Sequence, residues 1–355
     1  MALDHYISQV HLKKFYSPRL GNLLYTIRKS DLKAFTPKAE DICRIEDGST
    51  NAYLREDRIV EEFLKGIEPK YNTSVEKLKS NRIDAECIYT IAGFVAYVRS
   101  CSPAGMRLGS RLLQVAVESK AAVMDSQGMF PPPPPELAGM NLTEILKQGI
   151  ARVDVDPKFP QAIGITSIFE NLKLYGNFHW EILHNEFEDS PFFTSDYPVA
   201  IEAGRDPSVL DRVVPLAPNL AIRILPDRSI SRQQAEFDFS NFSSRHRTLL
   251  RNEVAHVNRL IVQCAEDLVC FRDNHHWVGK FIEKNGSFRI ELQTHKQPHG
   301  TGMLMFFREE IVGIQKLKGP ARSAGQDNDS SSSSECRSVQ SKIHAPPTGP
   351  NLSQK

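Results

Sequence analysis

The stretch DAECIYTIAGFVAYVRS, Asp84 to Ser100, constrains this chain more than any other. From Cys87 to Val98 almost every position is apolar, so a helix built from it has no face suited to water. A helix that is apolar all round is buried, and other elements must cover it on every side. The run falls short of the roughly 18 consecutive apolar residues that would mark a membrane span. It is therefore read as the central helix of a globular core, ended by Arg99 and the following SCSP.

The rest of the chain supplies the cover. REDRIVEEFLKGIE sets Ile59, Val60, Phe63, Leu64 and Ile67 on one helical face, and Pro69 is expected to stop that helix or to sit just past it. Helical periodicity resumes after Pro103. TEILKQGIARV is expected to begin a helix at Thr143, and the segment from Pro160 to Glu186 reads as one or two helices that include His179 and His184. After Glu188 the texture changes. PFFTSDYPVAIE and VVPLAPNLAIRILP are short apolar runs bounded by Pro and Asp, which reads as antiparallel strand. The segment Ser243–Phe271 returns to helix with a stripe through Leu250, Val254, Val257, Ile261, Cys264 and Leu268, and Asn285-Gly286 between apolar runs signals a hairpin. The expected fold is α+β, a helix-dominated single domain over residues 1–316 with a small antiparallel sheet.

Two low-complexity breaks punctuate it. Five consecutive prolines, Pro131 to Pro135, exclude helix and central strand, so a Pro-rich insert is expected near 126–140. Residues 317–355 are Ser-, Gly- and Pro-rich with few apolar residues, and a disordered C-terminal tail is expected there. The 44 basic and 43 acidic residues leave a net charge of +1, which gives no global nucleic-acid or membrane signature. Six cysteines lack any C-x-x-C pair, and the N-terminus lacks an apolar leader pattern, so a reduced cytoplasmic protein is expected.

The chemistry-bearing candidates are scattered. No phosphate-binding Gly-rich loop, H-E-x-x-H or G-x-S-x-G pattern is present. In DSPFFTSDYP an apolar run ends on Thr194, Ser195 and Asp196, and strand ends are where rigid scaffolds present chemistry. Asp196 suits a divalent-cation ligand or a general base, and equally a turn that caps backbone donors. His5 stands just before the chain's first expected helix, where a histidine suits a general base or ligand as well as a backbone partner. His11 shares a face with Phe15, and Lys13 points elsewhere and suits an anion. Glu68 borders an apolar stripe and is expected to pair with Arg99. Glu253 and His256 form a single Glu-x-x-His, and Asn258 sits at the edge of its helix's stripe, where it needs hydrogen-bond partners.

Together the segments HYISQVHLKKF, VRSCSP, HWEILHNEFEDSPFFTSDYPV, VPLAPNLAIRI and VNRLIVQCAEDLVCF resemble a bacterial family, domain of unknown function 4238. The resemblance rests on His5, Tyr6, Gln9, Leu12 and Phe15, on Phe193 to Val199, and on Asn258, with Ser8 standing where the family carries proline. It implies a bacterial or phage-borne soluble protein and supplies no activity. Two functions stay open. One is metal-assisted phosphodiester hydrolysis, nuclease-like, with His5, Asp196, Ser195 and Glu68 as catalytic candidates, Arg99, Lys13 and Asn258 as binding residues, Mg²⁺ as the candidate cofactor and nucleic acid as the candidate partner. The other is a non-enzymatic binding module, in a defence or mobile-element system, whose His/Asp motifs are structural.

Overall fold

A computed structural model describes residues 3–133, 135–206, 208–300 and 302–314. In chain order the elements are β1 (Leu3–His5), α1 (Gln9–Leu12), β2 (Tyr25–Arg28), β3 (Ala34–Phe35), β4 (Arg44–Glu46), α2 (Ile59–Lys79), α3 (Ala85–Cys101), α4 (Pro103–Ser126), α5 (Leu142–Lys147), α6 (Lys158–Thr166) and α7 (Ile168–Asn177). There follow β5 (His179–His184), β6 (Thr194–Ser195), β7 (Ala200–Ala203), β8 (Leu210–Ala217), β9 (Leu220–Leu225), β10 (Ser243–Thr248), α8 (Arg251–Cys264), β11 (Leu268–Phe271), α9 (Val278–Asn285), β12 (Phe288–His299) and β13 (Gly302–Gly313). The class is α+β, as the patterning implies. Contacts group Met1–Gln315 into one compact unit. The expected disordered tail, 317–355, lies outside the described residues.

Helix α3 is the hub. It packs against α2, α4, α6 and α7, and its residues from Ile91 to Val98 are all buried. Asp84 caps its first turn, accepting from the Cys87 amide at 2.9 Å. At the other end Ser102 closes α3 and caps α4, accepting from the Gly105 amide at 3.2 Å, with Pro103 at the first helical position. The two helices meet so tightly here that a Cβ on Gly105 would lie 2.0 Å from the Arg99 carbonyl oxygen. This joint fixes where Arg99 emerges.

The strands form more sheet than the small late one expected. Five strands run in the order β10-β5-β9-β8-β7, four in the order β3-β2-β11-β6, and β1-β4 and β12-β13 are pairs. Pairing is antiparallel except that β10 runs parallel to β5.

Several local expectations are corrected. Pro69 does not end its helix, because α2 continues to Lys79 and buries Tyr71, Ser74, Val75 and Leu78 beyond the proline. Packing of that second half outweighs the lost backbone hydrogen bond. His179 and His184 lie on strand β5 rather than on a helix. Asn177 ends α7 with its amide donating to the carbonyls of Lys173 and Glu236, and after Phe178 the six residues His179–His184 pair with β9 and β10. Ser243–Thr248 and Leu268–Phe271 are likewise strand, and only the middle of that segment is α8. The cap of α5 is Asn141, in a capping box with Glu144, and Thr143 lies inside the helix. Asn285-Gly286 ends α9, and the last hairpin turns at Gly300, whose φ is +57°. Pro131–Pro133 carry no regular structure, and Pro135–Leu137 form a 3-10 turn. Among the described residues no helix is long and apolar enough to cross a membrane.

Candidate functional site

The Thr194–Ser195–Asp196 cluster sits where β6 meets β11, with Thr194 opposite Cys270 and Ser195 opposite Val269. One Asp196 oxygen accepts from the Glu266 amide at 2.8 Å, and the other from the amides of Asp267 and Leu268, each at 2.8 Å. The carboxylate thus clamps the turn between α8 and β11, and it is buried. Burial pushes its pKa up to about 6, while the amides of Leu268 and Asp267 and the Lys29 charge favour the ionised form. The Lys29 ammonium, also buried, donates to the carbonyls of Ala265 at 2.6 Å and Phe288 at 2.8 Å. Turn 265–268 is therefore gripped by an acid and a base at once.

The other polar groups of the motif are equally engaged. The Ser195 hydroxyl accepts from the Tyr197 amide at 3.1 Å, a local turn bond. Asn258, buried on α8, accepts from the Phe193 amide at 2.8 Å and donates to the Pro191 carbonyl at 2.9 Å, so its partners are backbone. Thr194 meets His11, not His5. The His11 Nε2 lies 2.7 Å from the Thr194 hydroxyl, and its Nδ1 2.7 Å from the Tyr71 hydroxyl. The ring stacks on Phe94 at 4.9 Å and tilts against Phe15 at 5.4 Å, as the spacing of four predicts for Phe15. Full burial pulls its pKa down to about 3, so the imidazole is neutral and bonds one hydroxyl through each nitrogen.

His5, Lys13 and Glu68 do come together. They line an open groove of about 500 Å³ beside Asp4, Gln9 and Glu61. Burial lowers the His5 pKa, partly offset by the carbonyls of Ala39 and Glu40. Ser195 and Asp196 do not line this groove. It is the hydroxyl of the next residue, Tyr6, that senses the Asp196 charge. Glu68 accepts from the Ser8 hydroxyl at 2.6 Å, so Ser8 spends its side chain there and makes no side-chain cap on α1. The expected Glu68–Arg99 pair is not formed.

Arg99 instead reaches Glu309, at 2.6 Å, and the Tyr175 hydroxyl. Arg212 bonds the second oxygen of Glu309. Burial by itself would raise the Glu309 pKa, yet the charges of Arg212 and Arg99 hold it at about 2. Arg99 and Glu309 line a pocket of about 330 Å³ together with Tyr197. The Tyr197 hydroxyl is buried and has no hydrogen-bond partner among the described residues. Sequence reasoning missed Tyr197, Arg212, Glu309 and Lys29. Tyr197 lay inside the motif in plain view, and Arg212 follows Asp211 at the start of a strand whose other residues are apolar, but nothing local marks Glu309.

Among the described residues no three His, Cys, Asp or Glu side chains gather so as to hold a metal ion. Glu253 bonds Arg247, and His256 lies 2.6 Å from Glu202. His184 stacks on His246 with ring nitrogens 2.7 Å apart.

The family model described as Protein of unknown function (DUF4238) matches residues 4–275, well over half of the chain. Searches of curated proteins and of solved structures return no match.

Proposed function

The chain belongs to the DUF4238 family of proteins of unknown function, and from that premise we propose that it is a non-enzymatic binding module whose His/Asp motifs are structural. Asp196 carries this reading: both carboxylate oxygens are taken up by the amides of Glu266, Asp267 and Leu268 inside the fold. A catalytic base or ligand must instead reach a substrate. Thr194, Ser195 and Asn258 support the same reading, since each is bonded internally. A bacterial or phage-borne setting, within a defence or mobile-element system, and a cytoplasmic location belong to the proposal. The five cysteines among the described residues are free and buried, which supports a reducing compartment.

A second reading, phosphodiester hydrolysis, is favoured by the shared groove of His5, Lys13 and Glu68. There His5 acts as base, Lys13 clamps the anion and Glu68 orients. Incubation with single- and double-stranded nucleic acid, with and without Mg²⁺ or Mn²⁺, separates the two. The binding reading expects no cleavage. Cleavage by the wild type that is lost in folded His5→Ala and Glu68→Ala variants would overturn it in favour of hydrolysis.

A further inference from the structure

The pocket at the α3–α4 joint, closed on one side by the C-terminal hairpin, combines features that the fold itself does not use. Tyr197 lines this pocket with Arg99 and Glu309, and burial first, then the Glu309 charge, pushes its pKa up, yet its buried hydroxyl bonds nothing among the described residues. Leaving such a group unbonded is destabilising, because it loses its water without gaining a partner. A fold that needed only apolar bulk here would be served better by phenylalanine.

The charges are unbalanced as well. Arg107 and Arg289 are met by Glu266 and Glu291. Among the described residues Glu309 is the single carboxylate bonded to Arg99 and Arg212, and Arg232 lines the same pocket. Each guanidinium has five N–H donors, and Arg99 spends one on Tyr175 and one on Glu309. The rest of the lining is mixed, with Ser100, Ser167 and Asn171 beside a larger apolar part. Leu108 and Leu112 on α4, Ile163 and Pro160 on α6, and Leu292 on β12 make apolar walls. From Gly105 to Leu112 helix α4 climbs about 10 Å away from Arg99. The charged end and the apolar wall thus succeed one another along α4.

We propose that this pocket binds a small amphipathic carboxylic acid, its carboxylate between Arg99 and the Tyr197 hydroxyl and its apolar body along Leu108 and Leu112. A cavity of about 330 Å³ suits such a molecule, since small-ligand sites begin at about 300 Å³. The excess of guanidinium over carboxylate favours an anion over a neutral or cationic head, and a planar carboxylate matches the guanidinium fork. The inference deepens the binding reading and rests on it, because it makes recognition rather than turnover the task of this pocket. Its test does not involve Asp196 or His5, so either idea can fail alone.

The full chain is titrated calorimetrically with octanoate, octanamide, octylamine and octyl phosphate. Saturable binding of octanoate, with octanamide and octylamine weaker by roughly tenfold or more, is expected. Tyr197→Phe should weaken octanoate by about 5- to 10-fold while leaving the melting temperature unchanged or higher, which a purely structural tyrosine would not do. Leu112→Glu, at a side chain already 41% exposed, should abolish binding with the fold intact. Absence of octanoate binding at millimolar concentration, equal binding of octanamide, or a Tyr197→Phe variant that binds like the wild type overturns the proposal. Preference for octyl phosphate by roughly tenfold or more overturns the carboxylate assignment.

Discussion

Asp196 meets no histidine; it meets the three amides that begin the approach to β11. Its position at a strand end was legible, but its partners, about seventy residues away, were not. Asp196→Asn keeps the size and removes the charge, and an amide presents one acceptor where two are needed. A loss of about 2–3 kcal/mol in chemical denaturation is expected. His11 supplies a pH dependence. Its folded pKa of about 3 lies below the ordinary 6.5, so the stability it confers is complete above about 6.5 and is lost as pH falls toward 3. The slope is at most about 1.4 kcal/mol per pH unit in that window. Asp196 acts oppositely: its raised pKa confers stability below its ordinary 3.8 that is lost as pH rises through about 6. On going from pH 7 to pH 4 the urea midpoint of the wild type should decline relative to that of His11→Phe, which lacks the His11 loss and keeps the opposing Asp196 gain; parallel curves would refute the assignment to His11.

Among the elements, α2 is the one where local rules and packing disagree. A helix-interior proline costs about 3 kcal/mol, and α2 keeps one at Pro69. Pro69→Ala should therefore raise stability by roughly 1–3 kcal/mol, read as a higher melting temperature; a lower one would mean that the bend itself is needed for packing. At the α3–α4 joint the expectation reverses. Gly105→Ala drives a Cβ into the Arg99 carbonyl and should lower the melting temperature by several degrees and weaken ligand binding at Arg99. Strand β5 was misread because HWEILH is short enough to satisfy either period, and only its pairing with β9 and β10 decides.

Across the whole molecule, long-range charge pairs tie the hairpin to the core. Glu309 on β13 joins Arg99 on α3 to Arg212 on β8, and it lies beyond the span matched by the family model. Glu309→Ala leaves two largely buried guanidinium groups without their shared carboxylate, and a loss of about 3 kcal/mol by urea denaturation is expected. The thiols offer a check on packing. Cys43, Cys87, Cys101, Cys264 and Cys270 are free and buried, and burial is the leading cause that raises each thiol pKa. In a Cys336→Ser background a thiol reagent should find no fast-reacting group until denaturant is added.

By itself the sequence determined the buried central helix, the amphipathic α2 and α8, the strand character of β8 and β9, the helix break at Pro103 and the absence of a membrane-spanning run. These follow from the rise and period of the backbone, which place neighbours in sequence on known faces. Only the tertiary structure decided that Thr194 meets His11, that Asp196 clamps turn 265–268, that Glu68 takes Ser8 and that Arg99 takes Glu309. A buried polar group must be satisfied by whatever the fold brings within about 3 Å. That neighbour stands up to 259 residues away, and no local pattern marks it.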